Sequence, residues 1–318
     1  MKIRVIRGNN VKTIALFGGT GYLGGYLIKE LIRNGYFVHL AVRQGSPDLY
    51  NDSAQVSVRP VTKFYDESIL SVIQGCDAVI YNIGIIREFP PRGITFDELH
   101  FKLPVRIIRQ AESLGIQRFL LMSANGVEDN LTAYERTKLN TERFLMSTSL
   151  DWTIFRPSVI FGDPGTDKDF VTQLYTDMIR PFIPAPLFFD SSPFKAGQFR
   201  MSPVYAGDVA KVMIQSLEME SAVGAIFPLG GPESLTWREI IRRISQAACR
   251  KKYVFPVPAS LLKFAAGLFD RYAWFPITKD QITMLLKGNS CDSLYVFHQM
   301  NISPTPFSAE ELSYILRK

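Results

Sequence analysis

Short apolar runs take turns with longer stretches of helical period through the first half of this chain. Val11 to Phe17 reads as a strand, and Tyr22 to Arg33 spaces its apolar residues for one helix face, stopped by Asn34-Gly35. Tyr36 to Val42 is a second strand, so these segments form a βαβ unit. Gln55 to Val61 gives a third strand, and Asp66 to Gln74 a helix with Asp66 or Glu67 in its acidic first turn. Asp77 to Ile83 is a fourth strand, ending at Gly84. Thr95 to Leu114 keeps helical period up to Gly115, although the ring of Pro104 should kink this helix or shift its start. Arg118 to Met122 is the fifth strand, running into Ser123-Ala124-Asn125-Gly126, and a helix opened by Tyr134 reaches about Met146. Strands that alternate with helices in this way predict a doubly wound, mostly parallel α/β sheet with helices on both faces.

Past Gly162 the rhythm changes. The alternation assigns residues 1–10 to an extension, residues 11–162 to the main domain with 199–230 returning to it, and 163–198 with 231–318 to a smaller lobe. Pro181 to Phe189 is an apolar loop with three prolines: a pocket lid, a partner surface or core cover. Trp237 to Lys252 reads as a helix whose Arg250-Lys251-Lys252 end is a solvated face with favourable C-terminal charge. Val254 to Phe269 reads as a turn and an amphipathic helix. It could pack on the main domain or lie on a bilayer with Lys263 and Arg271 at the headgroups.

Composition narrows the class. The 47% of hydrophobic residues in 318 supports a buried core, and no window holds the roughly 20 uninterrupted apolar residues of a spanning helix. A formal charge of +6 is mild for this length, and no DNA or RNA motif accompanies it, so nucleic acid is not an expected partner. Cys76, Cys249 and Cys291 are odd in number and lack C-x-x-C spacing, which fits a reducing compartment such as the cytoplasm.

The chemistry begins at the first turn. Gly18, Gly21 and Gly24 stand three apart between strand and helix, as a chain needs that must turn tightly, admit a pyrophosphate and pack its new helix closely. Gly18, Thr20, Gly21, Tyr22, Leu23 and Gly24 are therefore the candidate phosphate-binding residues, facing a nicotinamide nucleotide with unpaired helix N–H groups. Arg43 ends the second strand, where an acidic residue would take the 2′-OH of NAD(H). An arginine can pair with a 2′-phosphate, so NADP(H) is the preferred cofactor and NAD(H) the alternative. Gly84, beyond the fourth strand, would let backbone pass close to the cofactor. Tyr134 and Lys138 lie one turn apart on one helix face, where an ammonium beside a phenol should lower its pKa and prepare it for acid or base work. His100 reads as a packed core or supporting histidine.

The glycine loop, Ser123 after strand five and Tyr134-x-x-x-Lys138 resemble the extended short-chain dehydrogenase/reductases. Phe155-Arg156-Pro157, Pro203-Val204-Tyr205-Ala206-Gly207-Asp208-Val209 and Leu229-Gly230-Gly231-Pro232 follow in that superfamily's order. The segment from Pro276 to Asn289 is similar to an atypical branch containing an accessory subunit of respiratory complex I and bacterial epimerase/dehydratase-like relatives. The resemblance implies a Rossmann-type fold with a smaller C-terminal lobe and a bound nicotinamide nucleotide, NADPH especially. It also implies a membrane-enzyme complex or membrane surface as partner, and a peripheral seat at the inner membrane. Were the chain catalytic, the family roles would be Tyr134 as acid or base, Lys138 on the nicotinamide ribose and Ser123 orienting a carbonyl. Two departures stand out: the short gap between Ser123 and Tyr134 cuts down the loop that shapes the active site in catalytic members, and Arg59-Pro60-Val61 stands where relatives place an aspartate against the adenine.

Overall fold

The strand Thr13–Phe17 (β1) is buried along almost its whole length, as a strand covered on both faces must be. It belongs to a computed structural model that describes residues 13–44, 50, 53–61, 66–165, 167–269 and 278–317. The first ten residues and Arg271 lie outside the described residues, as does the start of the 276–289 segment. Beside β1 lie β2 (Phe37–Arg43), β3 (Val56–Val61), β4 (Ala78–Tyr81), β5 (Arg118–Met122), β6 (Asp151–Pro157) and β7 (Ala225–Leu229). All pair in parallel, in the order β7-β6-β5-β4-β1-β2-β3. The chain reverses direction between β1 and β4, which opens a crevice at their carboxyl ends.

Apolar helix stripes close both faces. On one, Leu27, Ile28 and Leu31 of α1 (Tyr22–Arg33) share a core with Val209, Val212 and Met213, which lie on a later helix. On the other, Ile69, Val72 and Ile73 of α2 (Asp66–Ile73) meet Ile107, Ile108 and Ala111 of α3 (Leu103–Ser113), together with Leu145 of α4 (Ala133–Met146). The later helix is α5 (Ala206–Ser216). A third core gathers Trp237, Ile240, Ile241 and Ile244 of α6 (Trp237–Ala247) with Leu187, Phe188, Phe307 and Tyr314. Leu262 of α7 (Ala259–Phe269) and Leu285 and Leu286 of α8 (Lys279–Lys287) pack against it.

Pro104 shifts a helix start, one of the two outcomes read from the sequence, and three other elements differ from that reading. Residues Asp97–Lys102 form a wide π turn before α3, so Pro104 sits in the first turn of α3 and not mid-helix. Proline lacks the N–H that the His100 carbonyl would receive, and the Thr141 hydroxyl of α4 donates to that carbonyl instead. Ala185–Phe189, read as loop, and Val254–Pro258, read as turn, are strands paired in parallel. The helix read to Lys252 ends at Ala247, and Cys249 follows with φ of 51°, a left-handed stop.

Candidate nucleotide-binding and active site

Each glycine of the first turn meets a different surrounding. Gly18 has φ of +88°, and a Cβ there would lie 2.7 Å from the Asn82 carbonyl carbon and 2.8 Å from the Ile83 nitrogen. The turn is pinned to the chain leaving β4, because Asn82 N–H donates to Phe17 O at 2.9 Å and Asn82 Nδ2 to Gly18 O at 3.2 Å. A Cβ on Gly24 would come within 2.4 Å of Gly18 O and Gly19 C, so α1 sits directly on the turn. Gly19, which the three-residue spacing does not single out, faces side-chain ends and not backbone: its Cβ would meet Leu40 Cδ1 at 2.3 Å and Leu16 Cδ2 at 2.8 Å. Gly21 is the exception. A Cβ there would have only Gly18 O, at an ordinary 3.8 Å, and its φ of −86° suits any residue. Nothing among the described residues requires glycine at 21, which leaves what lies in front of it.

What lies in front is the N-terminus of α1, with Gly21 as a cap that offers no side-chain acceptor and no acidic residue in its first turn. By contrast α4, α6 and α8 each start with a complete capping box, Thr132 with Glu135, Thr236 with Glu239 and Thr278 with Gln281. The α1 donors stay open toward the crevice, in the form an anion needs. Thr20 is half-buried beside them. Leu23 contributes backbone only, since its side chain is core. The Tyr22 ring turns edge-on to Tyr26, and its hydroxyl is buried without a partner. Arg43 is exposed at the carboxyl end of β2, and its side chain makes no hydrogen bond or ion pair among the described residues. Arg59, at the departure on β3, points its guanidinium toward His39 Nε2 at 3.4 Å.

The second group converges at the ends of β4 and β5. Ser123 is 4% exposed, held by its N–H to Phe155 O at 2.7 Å, and its hydroxyl has no partner among the described residues. Lys138 is buried and donates to Met122 O at 3.2 Å. Burial drives its pKa down to about 8, against the opposing pull of Glu142, which is itself clamped by Arg156 at 2.6 Å. A Cβ on Gly84 would stand 3.9 Å from Lys138 Nζ, which puts that glycine against the same ammonium. Ser123, Lys138 and His100 line a cavity of about 10 Å³ with Tyr81, Ile83 and Thr141. His100 is a supporting residue. Its Nε2 accepts the Ile85 N–H at 3.0 Å and burial presses its pKa down to about 2, so the ring is neutral and braces the loop after Gly84.

Tyr134 corrects the sequence reading. It shares the face with Lys138, but the ammonium lies over its ring, 5.6 Å from the centroid. The ring is instead set edge-on against His100 at 5.2 Å and Phe96 at 5.7 Å. Burial, with Glu135 second, raises the phenol's pKa where a fall was expected. The sequence also concealed a strap. Lys287 Nζ donates to Gly126 O at 2.9 Å and Glu135 Oε1 at 3.1 Å and pairs with Asp129, while Asn125 Nδ2 donates to Asn289 Oδ1 at 2.7 Å. The short link between Ser123 and α4 is thereby tied down by Lys287 and Asn289.

A family profile described as NAD(P)H-binding matches residues 18–179, more than half of the chain. The chain belongs to the NAD(P)H-binding family. Its match spans the glycine turn, Ser123, Tyr134 and Lys138, and gives this member a nicotinamide-nucleotide-binding domain. The family member is 26% identical to NADH dehydrogenase [ubiquinone] 1 alpha subcomplex subunit 9 of mouse mitochondria, over 95% of this chain and 79% of that one. It is 24% identical to the chloroplast divinyl chlorophyllide a 8-vinyl-reductase of Cucumis sativus, over 86% of this chain and 67% of that one. In fold it resembles the UDP-glucose 4-epimerase of Thermus thermophilus solved with NAD. The TM-score is 0.72 at 16% identity, covering 96% and 98% of the two chains. Among the described residues no helix is long and apolar enough to cross a membrane.

Proposed function

We propose that this NAD(P)H-binding protein holds NADP(H) tightly, in a structural or regulatory role beside a respiratory or quinone-related membrane assembly. The observation that carries the reading is the open space before Gly21 at an uncapped helix N-terminus, which fits a pyrophosphate. Backbone N–H groups from Gly21 to Leu23 would take the phosphates, Arg43 the 2′-phosphate, and Gly84 and Lys138 would flank the nicotinamide ribose. The similarity to the complex I subunit supports the membrane-side role. Three features favour holding over turnover: a phenol whose pKa is raised, a lysine engaged with Met122 O, and the strap from Lys287.

A second reading has one observation of its own. The Ser123 hydroxyl is buried beside Lys138 with no partner among the described residues, as a group reserved for a substrate carbonyl would be. In that reading the protein is an NADPH-dependent oxidoreductase or a nucleotide-sugar epimerase/dehydratase. Bound NADPH would supply hydride, Ser123 would orient the carbonyl, and Tyr134, still protonated at neutral pH, would act as acid better than as base. Identifying the nucleotide that co-purifies and then following NADPH consumption with ketones, quinones and nucleotide sugars separates the readings. A protein that carries NADPH and oxidises it with none of these supports the first, and steady turnover supports the second.

A further inference from the structure

One face of the molecule presents apolar side chains to water. In α7, Ala259 and Ala266 are buried and Leu262 packs against the third core, while Leu261, Phe264 and Leu268 stay exposed on the other side. Those three recur at helical spacing and form an outward stripe. The helix sequence ASLLKFAAGLF holds a single charge, and that Lys263 is drawn to Asp190 at 3.7 Å. The stripe has neighbours. The Val254–Pro258 strand leading into α7 pairs with Ala185–Phe189, and the turns on either side of the latter carry Phe182, Ile183 and Phe194. Phe182 and Phe194 have relative exposures of 104% and 96%, as if they stood alone in water.

Cations surround these tips. Arg250 Nη1 donates to Arg180 O at 2.9 Å, and Lys252 Nζ to Ile179 O at 3.2 Å and also to Pro181 O. The basic segment is therefore fastened to the base of the Phe182 turn. Arg180, Lys195, Arg250 and Lys251 are exposed on these same turns, as are two acids, Asp177 and the Asp190 already paired to Lys263. Tyr253, with relative exposure of 79%, adds a ring that is apolar along its body and polar at its tip. Protein interfaces gather their anchors into a dense central patch. Here single phenylalanines project from separate turns beside an apolar helix stripe, with an excess of positive charge around them. That form complements an anionic bilayer, whose acyl boundary accepts the apolar tips and whose phosphates face the cations.

We propose that the α7 stripe, the Phe182–Ile183 turn and Phe194 seat this protein peripherally on an anionic phospholipid surface. This rests on the membrane-side role proposed above and gives it a contact surface, and it does not depend on the bound nucleotide. Flotation of the full chain with phosphatidylcholine vesicles, with and without phosphatidylglycerol, at low and high salt tests it. The wild type should float with the anionic vesicles at low salt and largely release at high salt. The triple variant Phe182→Ser, Phe194→Ser, Phe264→Ser should lose at least tenfold in partitioning. Lys251→Gln should lose about fivefold, the worth of one cation near such a surface. All four side chains are exposed or rim positions, so NADPH titration of the variants should match the wild type. That match keeps a failure of the nucleotide reading distinct from a failure of this one. A wild type that ignores anionic vesicles at low salt, or a triple variant that floats as well as the wild type, overturns the proposal. Capture by a membrane protein complex without any vesicle binding also overturns it and transfers the face to a protein partner.

Discussion

Replacing Gly21 and Gly24 separately should dissociate ligand binding from stability, because the two glycines are three residues apart and face opposite demands. At Gly24 the added Cβ would stand 2.4 Å from Gly18 O, about 1 Å inside a normal contact, and the atoms it meets are backbone that cannot rotate aside. Overpacking of this kind costs ~1–3 kcal/mol, while Gly→Ala in a helix returns roughly 1 kcal/mol. With the rigid neighbours favouring the upper end, Gly24→Ala should destabilise by about 1–2 kcal/mol, a fall in melting temperature of ~2–8 °C at ~2–4 °C per kcal/mol. At Gly21 the new side chain enters open space from an extended backbone, so Gly21→Val loses only some capping preference, about 0.5–1 kcal/mol. Its methyl groups would, however, occupy the ground in front of the α1 donors. Thermal melts with and without NADPH read both effects. A saturated wild type should gain ~2.7 kcal/mol at a hundredfold excess of ligand over Kd, Gly24→Ala should keep part of that gain, and Gly21→Val should show none while remaining folded by circular dichroism. A Gly21→Val protein that still shifts with NADPH would place the phosphates elsewhere and refute the reasoning.

Arg43→Ala should erase a preference for NADPH over NADH, since loss of one charged contact is worth ~1.5–3 kcal/mol. Titration of both cofactors checks this, and equal affinities in the wild type would sink the 2′-phosphate assignment. Tyr134→Phe should leave nucleotide affinity intact. If any carbonyl is turned over, the rate should drop by ~10²–10⁴, the range of a positioned general acid, whereas an unchanged rate removes Tyr134 from the chemistry. Because burial lowers the Lys138 pKa from 10.5 to about 8, the folded state loses this proton before the unfolded state does. The unfolded chain then binds more protons between those values, so this group's contribution to stability rises with pH across that window. In denaturant melts of the nucleotide-free protein, the wild type should accordingly gain on Lys138→Met between pH 7.5 and 10, and a constant difference would show that the ammonium is solvated.

The main sheet was readable because its central strands are buried on both faces and therefore written as short apolar runs, set apart by helices that stop at Asn34-Gly35 and Gly115. The bounds of α1 were legible to the residue for the same reason. The Val254–Pro258 strand was hidden by Pro256 and Pro258, which argue against a strand interior. They are tolerated in a two-stranded ribbon where one edge of the strand needs no partner. At the site, spacing of four placed Tyr134 with Lys138 but said nothing of where the ammonium points. Desolvation, which decides the sign of the phenol's shift, depends on Phe96 and His100 arriving from another helix. Asn82 and Gly19 carried no signal beyond their residue types, since their constraints come from Gly18 and Leu40 across the fold.

The strap from Lys287 and Asn289 bears on the order in which the molecule assembles. Its contacts to the Gly126–Glu135 link come from residues synthesised long after that link, whereas the hydrogen bonds that pin the glycine turn, from Asn82 to Phe17 O and Gly18 O, lie within the first 82 residues. During synthesis the hydrogen bonds of the glycine turn can therefore form while the neighbouring link is still loose, and pairings across such long sequence separations close late. A nucleotide held at that turn, as proposed above, would thus find the link beside it not yet fastened, like a door ajar. A chain cut short of Lys287 would keep that door unlatched for its whole life.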